Sequence, residues 1–157
     1  MEEMIWYIRL GLLFALSFGL VLYQSDLHTI TQEVESPLKW EDQLRISLQE
    51  YQVKIYKIPK VGESFSTIHE GEEVEIKIIE TDEKSVAKWV LTGYPHHQSV
   101  ELTLVHKEAE PKTKIEIKSF CKPDLVSRLV CASFSPSKNK SKIETWAASI
   151  LGAPNNR

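Results

Sequence analysis

Residues 86–106 read VAKWVLTGYPHHQSVELTLVH, and this stretch decides the fold class. On either side of the turn Gly93-Tyr94-Pro95, apolar and polar side chains alternate along the chain. Successive side chains of a β-strand point to opposite faces of a sheet, so this alternation predicts strands with one buried face and one wet face. The stretch therefore predicts two antiparallel strands joined by a short turn.

The same alternation recurs before and after these two strands. Its apolar members are Val74, Ile76 and Ile78 upstream, and Ile115 and Ile117 downstream. The intervening connections are short and carry turn residues, at 81–83 and 110–112. Consecutive strands are therefore expected to pair as an antiparallel meander. The predicted fold class is α+β, with a sheet of five or six strands packed against one or two helices.

The composition fits one ordinary globular domain. The chain has 157 residues, of which 42% are hydrophobic and 26% are charged, and its net charge is −3. These values exclude a wholly disordered chain and a collagen-like chain. Dedicated nucleic-acid binders are usually strongly basic, so the sequence predicts no nucleic-acid partner.

A helix is predicted before the sheet. Ser36-Pro37 is typical of a helix start, because proline is favoured at the first helical position. Apolar residues then recur at helical spacing, namely Leu44, Leu48, Tyr51 and Ile55. The spacing predicts a helix from Pro37 to about Glu50, and the alternation that follows predicts a strand from Gln52 to Ile58.

The C-terminal part carries two further helical signals. Residues 122–133 fit either a helix that begins at Pro123-Asp124 or a continuation of the sheet. Residues 141–144 match a capping box, and Gly152 stands where a left-handed cap would end the following helix. We expect Trp146, on the apolar stripe of this helix, to pack against the sheet.

The N-terminal segment is strongly apolar. Leu10–Tyr23 is an uncharged run of 14 residues, which as a helix spans roughly 21 Å against a hydrocarbon core of roughly 30 Å. Counted from Met4, with Arg9 reaching back to the headgroups, the segment is long enough to span. Trp6 and Tyr23 suit the aromatic belts of a transmembrane helix. The segment predicts a transmembrane signal-anchor, with a cleaved signal peptide and a buried helix as alternatives.

The anchor sets the expected domain organisation and location. Residues 1–25 are the anchor, 26–36 a connector and 37–157 one extracytoplasmic domain. Arg9 precedes the apolar run, and the next cationic residue is Lys39. The positive-inside tendency then predicts a cytoplasmic N-terminus, a C-terminal domain outside the cytoplasm and the lipid bilayer as a partner.

Two cysteines, Cys121 and Cys131, are the candidates for a disulfide. In an oxidising compartment they predict a bond that closes a short loop, and in a reducing one they would be two separate buried thiols. They lack the C-x-x-C spacing of a thiolate metal site, and the chain has no familiar catalytic or nucleotide-binding motif. The sequence predicts no metal, no cofactor and no catalytic residue.

Histidines and glutamates offer weaker candidates for a site. His96 and His97 are neighbours, and neighbouring strand residues point to opposite faces. A solvated turn is therefore favoured over a metal shared with Glu101 or His106. The glutamate-rich residues 70–75 lack the spacing of a calcium loop. They indicate the solvent-exposed start of a strand.

Charge is segregated along the chain, which is acidic before residue 111 and basic after it. The candidate surface for a protein partner consists of Lys138, Lys140, Lys142 and Trp146. The main functional hypothesis is a membrane-anchored, non-enzymatic interaction module, an accessory subunit of a membrane or envelope assembly. The alternative is a ligand-binding or enzymatic α+β domain, anchored or secreted. Its cavity would lie between sheet and helix, with a mouth formed by Trp89, Tyr94, His96 and His97.

Overall fold

The computed structural model describes residues 2–24, 27–82, 84–107, 109–133 and 144–152. The elements in chain order are α1 (Glu2–Gln24), β1 (Leu27–Glu35), α2 (Trp40–Gln49), β2 (Ser64–His69), β3 (Glu72–Thr81), β4 (Val86–Thr92), β5 (His97–Lys107), β6 (Lys112–Cys121) and α3 (Leu125–Ser133). A last helix, α4, covers residues 144–150.

The six strands form one antiparallel sheet in the order β1-β6-β5-β4-β3-β2. Strands β2 to β6 follow one another as a meander. Strand β1 forms the edge next to β6, where Leu27 lies opposite Phe120 and Glu35 lies opposite Lys112. The four strands predicted from alternation are confirmed as β3 to β6.

Two stretches differ from their predicted structure. Residues 27–35, expected to be a connector, form β1. Residues 52–58, expected to be a strand, form turns and irregular chain instead. The reason lies at the end of α2, where Gln52 has a left-handed φ of 60° and the Val53 N–H donates to the Leu48 carbonyl at 3.2 Å. Val53 is thus buried beside the end of the helix, whereas Tyr56 is 93% exposed.

One face of the sheet carries the core. Its side chains, all at most 4% exposed, are Val74, Ile76, Ile78, Ala87, Trp89, Leu91, Val100, Leu102, Leu104, Ile115 and Ile117. Burying each large apolar side chain of this kind stabilises the fold by about 1.5–3 kcal/mol. The opposite face is more exposed and carries ion pairs such as Lys88–Glu101, with Nζ and Oε2 2.9 Å apart.

Helices α2 and α4 cover the buried face together. The Gln43 amide donates to the Leu151 carbonyl at 3.3 Å, and the Ser149 hydroxyl donates to the Glu50 carboxylate at 2.6 Å. Gly152 has the left-handed φ, 69°, that was expected where α4 ends. The first three residues of the predicted capping box, 141–143, lie outside the described residues.

Helix α3 resolves the ambiguity of residues 122–133. The Asp124 carboxylate accepts the Ser127 backbone N–H at 2.8 Å, which is the bond of a helix N-cap. This hydrogen bond lowers the pKa of Asp124. A disulfide joins Cys121 at the end of β6 to Cys131 within α3, with the two Cα atoms 6.6 Å apart.

Helix α1 exposes every one of its described side chains, those of residues 5–19. Trp6 and Phe14, for example, are 60% and 74% exposed. Within the described residues, no helix combines the length and the apolar character needed to cross a membrane.

The predicted transmembrane anchor, with Trp6, Arg9 and Tyr23 as its landmarks, is therefore wrong. The prediction of the lipid bilayer as a partner is wrong for the same reason. So is the predicted location, a cytoplasmic N-terminus with the C-terminal domain outside the cytoplasm. The physical reason is Arg9, which limits the uncharged run to 14 residues. As a helix this run is about 10 Å shorter than a hydrocarbon core.

Candidate functional site

Five aromatic or histidine side chains form a row at one end of the sheet, which we call the aromatic–histidine row. Its members, in spatial order, are Trp146, Tyr51, His69, Tyr94 and His97. Successive ring centroids lie 6.3, 5.2, 6.1 and 6.4 Å apart. The row collects side chains from α4, the end of α2, β2, the β4–β5 turn and β5.

Two tight backbone features position the row. Glu70 and Gly71 have φ of 52° and 86°, the pattern of a two-residue type I′ hairpin turn, which sets His69 at the end of β2. Gly93 has φ of 118°, and a Cβ atom there would clash with a backbone oxygen of β3. Glycine is therefore required where the chain leaves β4 for the turn that carries Tyr94.

A hydrogen bond joins Tyr94 to His69 within the row, with Oη and Nδ1 2.8 Å apart. Burial raises the pKa of Tyr94 well above its usual value, and the charge of Glu70 raises it further. The hydroxyl keeps its proton, but a protonated hydroxyl can either donate to Nδ1 or accept from it, so the direction of this bond depends on the tautomer of His69.

Three buried polar atoms at the row have no hydrogen-bond partner among the described residues. They are Tyr51 Oη, Trp89 Nε1 and Trp146 Nε1. Burial raises the pKa of Tyr51 well above its usual value, and the nearby Trp89 N–H acts in the opposite direction, although the two groups do not meet hydrogen-bond geometry. A buried polar group without a partner costs roughly 1–3 kcal/mol. Each such group in a folded protein needs an explanation, and a partner such as a water molecule or a ligand is one.

The disulfide closes the His97 end of the row. Cys131 Sγ lies 3.9 Å from His97 Nδ1 and 3.9 Å from the His96 carbonyl oxygen. The His96 imidazole has a different neighbour, the Ser127 hydroxyl on α3, 3.4 Å from Nδ1. The His96 side chain therefore lies next to Ser127, whereas the His97 side chain lies between Tyr94 and the disulfide.

The structure separates the other metal-site candidates from this end. His106 lies at the far end of β5, stacked on Trp40 at 6.2 Å and 2.8 Å from the Thr113 hydroxyl. Glu101 pairs with Lys88 on the other face of the sheet. The glutamates of residues 70–75 are exposed around the β2–β3 hairpin.

Of the four residues expected at a cavity mouth, Tyr94 and His97 belong to the row and His96 lies next to α3, whereas Trp89 is fully buried in the core. Tyr51 and His69 were not predicted as site residues from the sequence. Tyr51 showed only its apolar spacing, and His69 gave no signal beyond the Glu-Gly turn that follows it.

The candidate partner surface is only partly described. Lys138, Lys140 and Lys142 lie outside the described residues. Trp146 is half-buried and packs against Tyr51 and His69, as expected for a residue that holds a helix on the sheet.

A small cleft lies away from the row, between α2 and residues 55–58. It encloses about 10 Å³, with Glu41, Arg45 and Ile55 among its lining residues. This space accommodates at most one water molecule.

Comparison with solved structures shows that the fold is similar to that of helix-grip, Bet v1-like proteins. Ara h 8.0201 matches 80% of this chain and 93% of its own, at 15% identity and a TM-score of 0.50. Ginseng major latex-like protein 151 from Panax ginseng matches 81% and 97%, at 9% identity and a TM-score of 0.52. The di-domain ARO/CYC protein BexL, from the BE-7585A biosynthetic pathway, matches 82% of this chain but 48% of its own, at 11% identity and a TM-score of 0.53. No protein-family model matches the chain, and no curated protein matches it in sequence.

These comparisons correct the main functional hypothesis. A membrane-anchored interaction module is contradicted, because its anchor is not found among the described residues and its fold is of the helix-grip kind. The findings agree better with the alternative, a ligand-binding or enzymatic α+β domain, than with this hypothesis.

Proposed function

We propose that this chain binds a small organic molecule at the aromatic–histidine row. The observation that carries the proposal is a group of three buried polar atoms, on Tyr51, Trp89 and Trp146, that have no hydrogen-bond partner among the described residues. The centroids of the Tyr51 and Trp146 rings lie 6.3 Å apart. The Tyr51 hydroxyl is close enough to the Trp89 indole for the indole N–H to affect the pKa of Tyr51. One polar ligand atom that reaches the Tyr51 hydroxyl would therefore also come close to the Trp89 N–H.

The unpartnered atoms define the chemistry of the ligand. Indole N–H groups only donate, and the Tyr51 hydroxyl keeps its proton because burial raises its pKa. The ligand must then supply an acceptor, such as a carbonyl, carboxylate or phenolate oxygen. The rings that surround these donors favour a flat, largely apolar body.

Trp146 controls access to the buried donors. Tyr51 and Trp89 are 0% exposed, whereas Trp146 is half-buried and lies on α4. Entry of a ligand to Tyr51 therefore requires the Trp146 side chain to rotate outward, or α4 to shift. The fold likeness agrees with this proposal, since Bet v1-like and START-like neighbours are ligand-binding domains.

A dye titration tests the proposal. The probe is 1-anilinonaphthalene-8-sulfonate, which has an aromatic body and acceptor oxygens, and its fluorescence is followed as the full chain is added. We expect saturable binding of one dye per chain, weakened about tenfold or more in Tyr51→Phe, because the buried hydrogen bond is lost. The matched control is Tyr56→Phe, the same change at a side chain that is 93% exposed, which should leave binding unchanged.

The variants also identify dye bound elsewhere. Dye held by the exposed apolar side chains of α1 would bind Tyr51→Phe and the unmodified protein equally. Equal binding, or the absence of a saturable component, would count against a site at the row. Native mass spectrometry of the purified protein gives an independent readout, because a retained natural ligand adds a discrete mass that denaturation removes.

A further inference from the structure

We propose that Cys121, Cys131 and His97 form a zinc-type metal site when the disulfide is reduced. The cysteine spacing alone argues against a metal, but the fold adds a third donor that the sequence did not reveal. The two sulfurs and an imidazole nitrogen of His97 all lie within 4.8 Å of one another. This site shares His97 with the aromatic–histidine row, but the proposal does not require that a ligand binds there.

The geometry is close to what a tetrahedral zinc ion requires. Bond lengths of about 2.3 Å to sulfur and about 2.0 Å to nitrogen place neighbouring sulfur and nitrogen ligands about 3.5 Å apart. His97 Nδ1 and Cys131 Sγ are already 3.9 Å apart. The two sulfurs would have to separate to about 3.8 Å, and the Cα atoms, 6.6 Å apart, leave room for this rotation of the side chains.

The charges balance in this buried place. Cys121 and Cys131 are 6% and 4% exposed, where a lone thiolate or a lone cation would be costly. Two thiolates neutralise the two charges of Zn²⁺, and neutral His97 adds none. Three protein ligands leave the fourth position for water.

Reduction and metal binding are two separate steps. A dithiol supplies two electrons and two protons to the Cys121–Cys131 bond, gives two thiols and leaves as its own disulfide. Zn²⁺ then binds both sulfurs and the imidazole and releases the two thiol protons, with no change in its own oxidation state. In an oxidising compartment the disulfide persists and the metal site is closed.

His96 provides the internal control for the proposal. It is adjacent to His97 in the chain, but its Nδ1 lies 3.4 Å from the Ser127 hydroxyl. A metal held by general histidine affinity would use either residue. A metal held by the site proposed here depends on His97 alone.

Cobalt uptake tests the site. The full chain is reduced with a phosphine under nitrogen and titrated with Co²⁺, whose absorption reports thiolate charge transfer and tetrahedral coordination. We expect one equivalent per chain, displaced by Zn²⁺, together with loss of the thiolate band in Cys131→Ser. Affinity should fall at least tenfold in His97→Asn and stay unchanged in His96→Asn. The unreduced protein, with the same sequence and an intact fold, should take up none.

Circular dichroism separates loss of the site from loss of the fold. We expect Zn²⁺ to raise the melting temperature of the reduced protein and not that of the oxidised one. The proposal is overturned if reduced, folded protein takes up no stoichiometric metal, or if a Cys121→Ser/Cys131→Ser double variant binds equally well. It is also overturned if reduction unfolds the chain and zinc does not restore the fold.

Discussion

Replacing Tyr51 by phenylalanine should stabilise the protein, although it removes a group from the centre of the core. Tyr51 is 0% exposed, and its ring lies between His69 and Trp146 at centroid distances of 5.2 and 6.3 Å. The substitution keeps the ring and the Tyr51 carbonyl, which accepts the Thr67 hydroxyl at 2.6 Å. It deletes one oxygen, which has no hydrogen-bond partner among the described residues.

The magnitude follows from the cost of an unsatisfied group. A buried polar atom without a partner costs roughly 1–3 kcal/mol, and phenylalanine removes that cost while the apolar contacts of the ring remain. We expect the free energy of unfolding to rise by about 1 kcal/mol. For a chain of this length, that corresponds to an increase of about 3 °C in melting temperature.

Urea unfolding of the ligand-free protein measures this difference. The midpoint should rise with no change in the denaturant slope, since the folded and unfolded surfaces are almost the same. Tyr56→Phe, at a side chain that is 93% exposed, should change the free energy of unfolding by no more than about 0.5 kcal/mol. A decrease of 1 kcal/mol or more in the free energy of unfolding of Tyr51→Phe would show that the hydroxyl has a hydrogen-bond partner in the free protein. The hydroxyl would then not be available to a ligand, and the proposed site would be contradicted.

Three further perturbations follow from the same structure. Burial raises the pKa of Tyr51 and of Tyr94, so both hydroxyls bind protons more tightly when folded. Stability should therefore fall as the pH rises above about 10, and Tyr94→Phe should flatten that fall in urea midpoints. Hydrogen bonds from the Ser85 and Val86 N–H groups lower the pKa of Asp82 to about 2. Its stabilising contribution is present above about pH 4 and is lost as the pH falls through about 2. Asp82→Asn should reduce the loss of stability between pH 5 and pH 2, and an unchanged acid profile would contradict the assignment. Gly93→Ala places a Cβ against the β3 backbone at φ 118° and should cost about 2 kcal/mol or more. Gly62→Ala has a comparable φ of 87° but open space around the new atom, and should cost about half as much. Equal melting temperatures for the two glycine variants would exclude the steric argument.

The central strands were predictable because their apolar side chains are strong and regular. Ile76, Trp89 and Leu102, for instance, each sit within an alternating run, and all three are 0–1% exposed. Strand β1 escaped prediction because its face toward the core mixes Ile30 and Val34 with the polar Gln32. Strand β2 is a short edge strand whose inward side chains are only half-buried, so it has weak alternation.

The site was harder to predict because contacts between distant parts of the chain create it. Tyr51 and Trp146 meet only when α2 and α4 pack on the same face of the sheet. His69 joins them because the β2–β3 hairpin turns at Glu70-Gly71. The cysteine pair was visible in the sequence, whereas the nearness of His97 depends on the antiparallel register of β5 and β6, in which His97 lies opposite Cys121.

The N-terminal segment shows the limit of hydropathy as a guide. Its apolar run, interrupted by Arg9, predicted an anchor, and α1 does form a helix from Glu2 to Gln24. Helix formation follows from local propensity, but crossing a membrane also needs an uninterrupted apolar length. Within the described residues, that second requirement is not met.

The indole N–H resonances of the chain test the proposed binding site most directly. The sequence has 4 tryptophans, and they provide their own controls. Trp89 and Trp146 have no hydrogen-bond partner for Nε1 among the described residues, whereas Trp40 Nε1 already donates to the Asp82 carbonyl at 3.2 Å. Trp6 is 60% exposed on α1.

The experiment is a ¹H–¹⁵N titration of the full chain with 1-anilinonaphthalene-8-sulfonate. Binding at the aromatic–histidine row predicts that the Trp89 and Trp146 indole signals move together and saturate at one equivalent, while the Trp40 signal stays in place. Movement of the Trp6 signal alone, or no saturable movement at Trp89 and Trp146, would contradict ligand binding at the row.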